Sequence, residues 1–152
     1  TKRFLSECKG DISAMKLAIG FQFTYVGVPY IYYGDEIGMD GEHDPENRRC
    51  MIWDTEKQNS EIFDFYKKLI FIRKENKALA YGDYKEFYCK DDIVVFKRTY
   101  GEEEILVVIN NNDENKKIDL NFTYQGVDLI NNEKIEINNS LEIGPMNIKI
   151  IK

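Results

Sequence analysis

The sequence contains few of the residues that build disulfide frameworks and metal centres. Its 152 residues include three cysteines and one histidine. Cys8, Cys50 and Cys89 are odd in number, far apart and without Cys-x-x-Cys spacing, so they predict neither a disulfide framework nor a zinc site. A metal site at His43 would have to be built from carboxylates alone, and a solvated loop histidine is the simpler interpretation. We expect no metal, no cofactor and reduced thiols.

Long apolar runs and clustered basic residues are also missing. The longest apolar stretch, Leu17 to Tyr33, is interrupted by polar residues, glycines and Pro29, which excludes a bilayer span, and no signal peptide is visible. The net charge is −6 and the basic residues are scattered among acids, which argues against a nucleic-acid partner. We expect a cytoplasmic protein with a neutral, hydroxyl-rich ligand. Because the sequence begins with Thr1 rather than Met, we also expect it to be a piece of a longer protein.

The chain changes character between Lys77 and Gly82. Helical periodicity dominates before this point and short β runs follow it, so we predict one region over residues 1–79 and a second over residues 80–152. A compact domain of 152 residues would bury about 70% of the surface that its unfolded chain exposes. The chain is therefore long enough to hold a core.

The first region predicts a helix, a strand and a second helix. Asp11 can cap a helix whose apolar residues recur at three and four positions through Phe23, and Ser60 can cap a second helix that extends past Arg73. Between them, Tyr30 to Tyr33 predicts a buried strand that ends at Gly34. This order is that of a β/α unit in a parallel sheet or barrel.

The second region predicts an antiparallel β-sandwich of about seven or eight strands. Short β runs are separated by polar turns, of which the Asn110–Asp113 cluster and Gly126 are examples. The predicted strands are Tyr84–Cys89, Ile93–Tyr100, Ile105–Ile109, Lys117–Phe122, Val127–Asp128, Ile135–Ile137 and Ile148–Ile151. The fold class is therefore α+β.

Two adjacent carboxylates, Asp35 and Glu36, follow the predicted strand. Neighbours on an extended chain point to opposite sides, so the two cannot flank one scissile bond together. At most one faces a site. The alternative is that one carboxylate accepts hydrogen bonds from loop amides while the other meets solvent.

A second candidate pair lies in the polar loop, which we define as residues 40–49. Asp44 and Arg48 are four residues apart across Pro45, and together they would offer one acceptor and several donors to the vicinal hydroxyls of a sugar. The alternative is a mutual salt bridge that braces the loop, and spacing alone leaves both open. Trp53 and the two tyrosines at 32 and 33 could stack on sugar faces or belong to a core.

A family resemblance rests on two long segments. The residues Phe21-Gln-Phe-Thr-Tyr-Val-Gly-Val-Pro-Tyr-Ile-Tyr-Tyr-Gly-Asp-Glu-Ile-Gly-Met39 are followed by Asp44-Pro-Glu-Asn-Arg-Arg-Cys-Met-Ile-Trp-Asp54. Together they resemble the end of the catalytic barrel in the alpha-amylase superfamily, most of all in neopullulanases, cyclomaltodextrinases and maltogenic amylases. The likeness is strong to Gly82 and rests on position alone beyond it.

The resemblance implies the C-terminal end of a (β/α)8 barrel followed by a β-sandwich. It also implies a parent enzyme that hydrolyses α-glucosidic bonds of starch, cyclodextrin or pullulan by a retaining mechanism with two carboxylates. In the family the nucleophile and the acid lie on earlier barrel strands, and the third essential Asp lies in a segment that would end at Thr1, so no catalytic carboxylate is expected in this chain. We therefore expect the isolated chain to be inactive, and its partners to be an α-glucan oligosaccharide and the missing N-terminal part of the barrel.

The resemblance also assigns roles to individual residues. Asp44 and Arg48 align with the pair that binds a glucose unit distant from the cleavage point, and Arg3 and Glu36 with residues that support the site. Cys50 departs from the family, which has proline after the arginine pair. The alternative function is a non-catalytic carbohydrate-binding or structural module. A predicted strand without barrel neighbours would also expose an edge, from which we expect self-association.

Overall fold

The computed structural model describes residues 1–152 as a helical half followed by an antiparallel sheet. The helices are α1 (Phe4–Glu7), α2 (Ile12–Thr24), α3 (Ser60–Glu75) and α4 (Lys77–Tyr81). The strands are β1 (Asp83–Lys90), β2 (Ile93–Tyr100), β3 (Glu103–Asn110), β4 (Lys116–Asp128), β5 (Glu133–Ile143) and β6 (Asn147–Ile151). They form one six-stranded sheet in the order β1-β2-β3-β6-β4-β5. The α+β class is confirmed.

Side-chain caps fix the start of both long helices. The Asp11 carboxylate accepts hydrogen bonds from the backbone N–H groups of Ser13 (2.8 Å) and Ala14 (3.2 Å), as the sequence predicts. The predicted cap of α3 is wrong by one residue. The side chain of Asn59, not that of Ser60, accepts from the N–H of Ile62 (3.0 Å), and Ser60 is the first helical residue.

A first core lies between the helices and one face of the sheet. Met15 and Phe23 of α2 and Leu69 of α3 belong to the same buried cluster as Phe96 of β2 and Ile150 of β6. The helical half and the sheet thus share an interior. The predicted boundary between residues 79 and 80 falls within α4, and it stays a prediction.

Gly20 gives α2 a close approach to the sheet. A Cβ atom built at this position would lie 2.6 Å from the Cδ1 atom of Ile148, so a larger residue would require the Ile148 side chain to shift. The weak helix propensity of this glycine is therefore offset by contact with β6.

A second core fills the other face of the sheet, which curls so that β4 and β5 face β2 and β3. Its members alternate along the strands and are fully or almost fully buried: Ile93, Val95, Leu106, Val108, Ile118, Ile137, Leu141 and Ile143 among others. This curled arrangement is the predicted antiparallel sandwich, with six strands instead of seven or eight.

The strand count differs because β4 runs without interruption through Gly126. A Cβ atom at this glycine would lie 2.6 Å from the carbonyl oxygen of Lys152, so glycine allows the strand to pass the end of the chain. The prediction of a turn there was wrong. Gly126 pairs with Ile135 in the β4–β5 ladder instead.

The predicted buried strand at Tyr30–Tyr33 is also wrong. No strand of the chain pairs with this segment, and the side chains of Val28 and Tyr30 are 94% and 75% exposed. A strand is held by hydrogen bonds to a neighbouring strand, so an extended run alone does not form one. None of the helices has the length and apolar character needed to cross a membrane.

Candidate functional site

The polar loop is tied to the first residues of the chain. The backbone N–H of Arg3 donates to the carbonyl of Gly41 (2.8 Å), and the N–H of Gly41 donates to the Ser6 hydroxyl (2.8 Å). Farther along, the Asn47 side-chain amide donates to the carbonyl of Thr1 (2.7 Å). These bonds fix both ends of the loop against α1 and the residues that precede it.

Asp44 and Arg48 lie side by side at the outer edge of this loop. A single 3-10 turn over Glu46–Arg48 brings them together, and Arg48 donates from Nε to Oδ1 and from Nη2 to Oδ2 (3.2 Å) of Asp44. The hydrogen bond to Asp44 raises the pKa of Arg48. Both side chains are 64% exposed, so the outer lone pairs of the carboxylate and the third guanidinium nitrogen remain available to a ligand.

The predicted salt bridge between these residues is therefore present. It does not exclude a binding role, because a fork-shaped pair keeps donors and acceptors in a fixed relative position. The structure brings the two predicted residues together and leaves their ligand undetermined.

A second ion pair, which the sequence did not single out, braces the base of the loop. The Nη2 atom of Arg49 donates to the backbone carbonyl (2.7 Å) and to the carboxylate (2.5 Å) of Asp40. The Tyr33 hydroxyl donates to the carbonyl of Arg49 (2.8 Å). The two adjacent arginines therefore differ: Arg49 braces the base of the loop through Asp40, and Arg48 is exposed at its outer edge.

Arg3 is the buried support of the turn that follows Tyr33. It is only 4% exposed, and its Nη1 atom donates to the carbonyl of Tyr33 (2.8 Å) and to Oδ1 of Asp35 (2.9 Å). Its guanidinium carbon also lies 4.8 Å from the Tyr32 ring centroid and 4.9 Å from that of Tyr33. The Nε and Nη2 atoms have no hydrogen-bond partner.

The two adjacent carboxylates have different surroundings. Glu36 accepts a hydrogen bond from the N–H of Gly34 (2.7 Å), which is the predicted contact with a loop amide. Asp35 does not simply meet solvent as predicted, because it pairs with Arg3. Burial raises the pKa of Asp35, and the opposing effect of the Arg3 guanidinium is smaller. Neither carboxylate is a free acid at the surface.

The aromatic candidates are exposed rather than part of a core. Trp53 is 81% exposed, and Tyr32 and Tyr33 are each more than one third exposed. His43 and Cys50 also lie at the surface. A cleft of about 310 Å³ lies between Arg3, Tyr32, Asp35 and Asn47, next to the polar loop.

Comparison with known families accounts for both halves of the chain. The family model described as the catalytic domain of alpha amylase matches residues 1–82, more than half of the chain. The alpha-amylase C-terminal domain matches residues 82–134. The chain belongs to the alpha-amylase family.

Individual relatives agree with this membership. The amylase-family chain is 47% identical over 153 aligned residues to a cyclomaltodextrinase of Thermoanaerobacter pseudethanolicus, covering 100% of this chain and 27% of that enzyme. A solved cyclomaltodextrinase structure superposes with a TM-score of 0.90 at 33% identity, covering 100% of this chain and 28% of the other. An alpha-amylase of Geobacillus thermoleovorans in complex with acarbose gives 0.83 at 28% identity, covering 95% of this chain and 34% of that one.

The coverage values also show that the chain is much shorter than these relatives. It spans about a quarter to a third of the length of the relatives that it matches. The resemblance to the end of an alpha-amylase barrel and its β-domain is confirmed. The activity of those longer proteins is a separate question.

Proposed function

We propose that this chain provides one wall of the α-glucan site of a retaining glycoside hydrolase and holds sugar without cleaving it. In this proposal Asp44 and Arg48 bind a glucose unit of starch, cyclodextrin or pullulan fragments. The carboxylates that cleave the bond are not among these 152 residues. The parent enzyme is of the cyclomaltodextrinase and neopullulanase type.

The observation that carries the proposal is the exposed Asp44–Arg48 fork. Its two side chains are pre-arranged by their mutual hydrogen bonds, and both are 64% exposed. The vicinal hydroxyls of glucose each donate and accept, which matches a carboxylate beside a guanidinium. Membership in a family with an acarbose-bound relative supports a glucan as the ligand.

The lack of cleavage is inferred from the state of the nearby carboxylates. A retaining glycosidase needs two carboxyl groups about 5 Å apart, one as nucleophile and one as acid. Near the polar loop, Asp35 pairs with Arg3, Asp40 with Arg49 and Asp44 with Arg48. Glu36 is bound to a backbone amide, Glu42 pairs with Lys2 (2.5 Å), and Glu46 is exposed to solvent. These groups serve the loop and are not arranged as a catalytic pair.

Arg3 and Glu36 have a supporting role in this proposal. Arg3 joins Tyr33 and Asp35 to the start of the chain, and Glu36 binds the amide of Gly34. Both set the path of the turn that leads into the polar loop. A change at either residue would act on sugar binding through the position of the loop.

The proposed partners are an α-glucan oligosaccharide and the remainder of a barrel. Exposed side chains of Val28 and Tyr30 are consistent with an apolar surface that further polypeptide covers. A second copy of the chain would cover the same surface, so self-association in isolation belongs to the proposal. Three free cysteines, two of them exposed, are consistent with the reducing conditions of the cytoplasm.

Calorimetric titration with maltotriose tests the binding role. We expect saturable binding that weakens about tenfold in Asp44→Ala and in Arg48→Ala, since each removes a charged hydrogen-bonding partner. Asp64→Ala is the matched control, because Asp64 forms an equally exposed pair with Lys67 on α3 (3.3 Å). A chain that binds no maltotriose would be the alternative, a structural module.

Incubation with cyclodextrin and with pullulan tests the lack of cleavage. We expect no release of reducing sugar by the isolated chain under conditions in which a complete cyclomaltodextrinase is active. Activity that persists through repeated purification and co-elutes with the chain would contradict the proposal. Recovery of activity on mixing with a separately produced barrel remainder would support it.

A further inference from the structure

A second cleft, far along the chain from the polar loop, lies on the β-domain between β1 and β4. Its volume is about 570 Å³. The side chains that give it its chemistry are Phe87, Tyr88, Lys90, Lys117, Asp119 and Asn121. Nothing in the proposed glucan wall uses these residues.

Both walls of this cleft depart from regular strand pairing. The β1–β2 register shifts between Glu86 and Tyr88, which leaves Phe87 as an extra residue. The β4–β5 ladder is interrupted between Asp119 and Thr123, where Asn121 has a φ of 56°. Bulges re-aim side chains and often occur beside functional sites. Because two such irregularities line one cleft, we treat the cleft as a candidate site and not as an ordinary sheet edge.

Three polar side chains of the cleft have no partner within the chain. The side chains of Lys117, Asp119 and Asn121 form no ion pair or hydrogen bond with the rest of the chain. They offer a cation, a carboxylate and an amide, which together donate and accept. The ligand they suit is one whose groups do both, as sugar hydroxyls do.

The aromatic wall adds an apolar surface. The Phe87 ring is held against that of Phe122 with centroids 5.0 Å apart, and it is 36% exposed. Its neighbours on the outside are the ammonium groups of Lys85 and Lys97, at 5.2 and 5.6 Å. Lys97 is also held by an ion pair with Glu104 (3.0 Å), whereas Lys85 forms no ion pair, so a sugar ring would displace only the Lys85 ammonium from the aromatic face.

We propose that the β1–β4 cleft is a second carbohydrate site, which takes a neutral glucan chain on the Phe87–Tyr88 wall and hydrogen-bonds it through Lys117, Asp119 and Asn121. The identity of the sugar as an α-glucan rests on the proposed function of the chain. Two sites on one molecule would raise the effective concentration of a long glucan at the polar loop.

The three free cysteines provide a test that reports on each site separately. Cys89 lines the β1–β4 cleft, Cys50 directly follows the polar loop, and Cys8 is a half-buried reference. The rate of iodoacetamide alkylation of each thiol is measured by peptide mass spectrometry on the full chain, with and without maltoheptaose. We expect maltoheptaose to slow alkylation of Cys89.

Variants assign that protection to the cleft. Asp119→Ala, and Asn121→Gly as a second variant compatible with the positive φ, should remove the protection of Cys89 and weaken binding at the cleft about fivefold. Asp44→Ala should leave it intact. Asp113→Ala, an exposed acid without an ion pair in the turn after β3, is the matched control, and thermal unfolding verifies that each variant is folded.

Each outcome decides between the sites. Slowed alkylation of Cys50 with an unchanged rate at Cys89 would overturn the second site and leave the proposed function standing. Unchanged rates at both thiols would overturn both. Protection of Cys89 by inorganic phosphate equal to that by maltoheptaose would overturn the assignment of a neutral carbohydrate.

Discussion

Two segments with similar composition, β2 and the stretch Val28–Tyr33, have very different structures. Both are rich in aromatic and β-branched residues, which favour an extended chain. The strand β2 pairs with β1 on one side and β3 on the other, and four of its eight residues are buried. Val28–Tyr33 has no neighbour to pair with and exposes Val28 and Tyr30. The comparison shows that residues which favour an extended backbone form a strand only where a neighbouring strand provides hydrogen-bond partners.

The two segments are also held by different interactions. The ladder and two apolar cores stabilise β2, whereas side chains of arginine and glutamine hold the chain around Val28–Tyr33 through its carbonyl groups. Arg73 donates to the carbonyls of Phe23 (2.7 Å) and Gly27 (2.5 Å), and Gln22 donates to that of Tyr30 (2.7 Å). Point changes in the two regions should therefore have different costs.

The largest contrast is expected for aromatic truncations. Phe96→Ala removes a fully buried ring from the first core and should lower the free energy of unfolding by about 4 kcal/mol. Tyr30→Ala removes a 75% exposed ring from Val28–Tyr33 and should change the free energy of unfolding by less than about 0.5 kcal/mol. Urea unfolding followed by circular dichroism measures both. Equal losses of unfolding free energy in the two variants would contradict the contrast between the two segments.

A smaller but still large effect is expected at the joint between the two regions. Arg98 is 1% exposed and donates from Nη1 to the carbonyl of Thr24 (2.7 Å) and from Nη2 to that of Gly82 (2.8 Å). Arg98→Met leaves buried carbonyls without donors and should cost about 3 kcal/mol in urea unfolding. Lys97→Met, on the adjacent residue, should cost less than about 1 kcal/mol. If Arg98→Met lowers the free energy of unfolding no more than Lys97→Met does, the Arg98 hydrogen bonds between the two regions do not stabilise the fold.

The smallest effect is expected at the ion pair between Glu103, at the start of β3, and Lys152, which follows β6, and it depends on pH. Burial acts to raise the pKa of Glu103, but its hydrogen bonds from Lys152 (2.5 Å) and the Ala78 N–H (2.5 Å) outweigh burial and hold it below the ordinary 4.5. A lowered carboxylate pKa contributes stability that is present above the unfolded value and is lost as the pH falls through the folded one.

Glu103→Gln should therefore lower the free energy of unfolding by about 1 kcal/mol at neutral pH. The difference from the parent chain should shrink as the pH falls below 4.5, the ordinary pKa of this carboxyl, and disappear below its lowered pKa in the folded chain. Urea titrations across that range measure the difference. Glu102→Gln is the control, and it should leave the free energy of unfolding unchanged both at neutral pH and in acid. A gap that persists in acid would contradict the linkage.

Much of the fold could be predicted from local patterns. Asp11 caps α2 because its short carboxylate reaches two free amides, and this follows from the sequence alone. The strand β2 alternates sufficiently to be placed with its observed bounds, Ile93–Tyr100. The Asp44–Arg48 pair was likewise found from a spacing of four residues, although the spacing did not choose between its two interpretations.

The remaining features depend on contacts between distant residues. The choice of Asn59 over Ser60 as a cap depends on a contact with a distant part of the chain, since the N–H of Asn59 donates to the carbonyl of Ile37 (2.9 Å). The continuity of β4 depends on the position of Lys152. The burial of Arg98 depends on the carbonyl of Thr24, which is 74 residues away and gives no local signal in the sequence.

The two hydrogen bonds at Gly41 have a consequence for engineering and for evolution. Arg3 and Ser6 bind the carbonyl and the N–H of Gly41, respectively. Small displacements of α1 would therefore also move the loop that holds Asp44 and Arg48. If the proposed sugar binding holds, its affinity would respond to changes at positions that never touch the ligand. A fusion partner attached ahead of Thr1 would act on the polar loop in the same way.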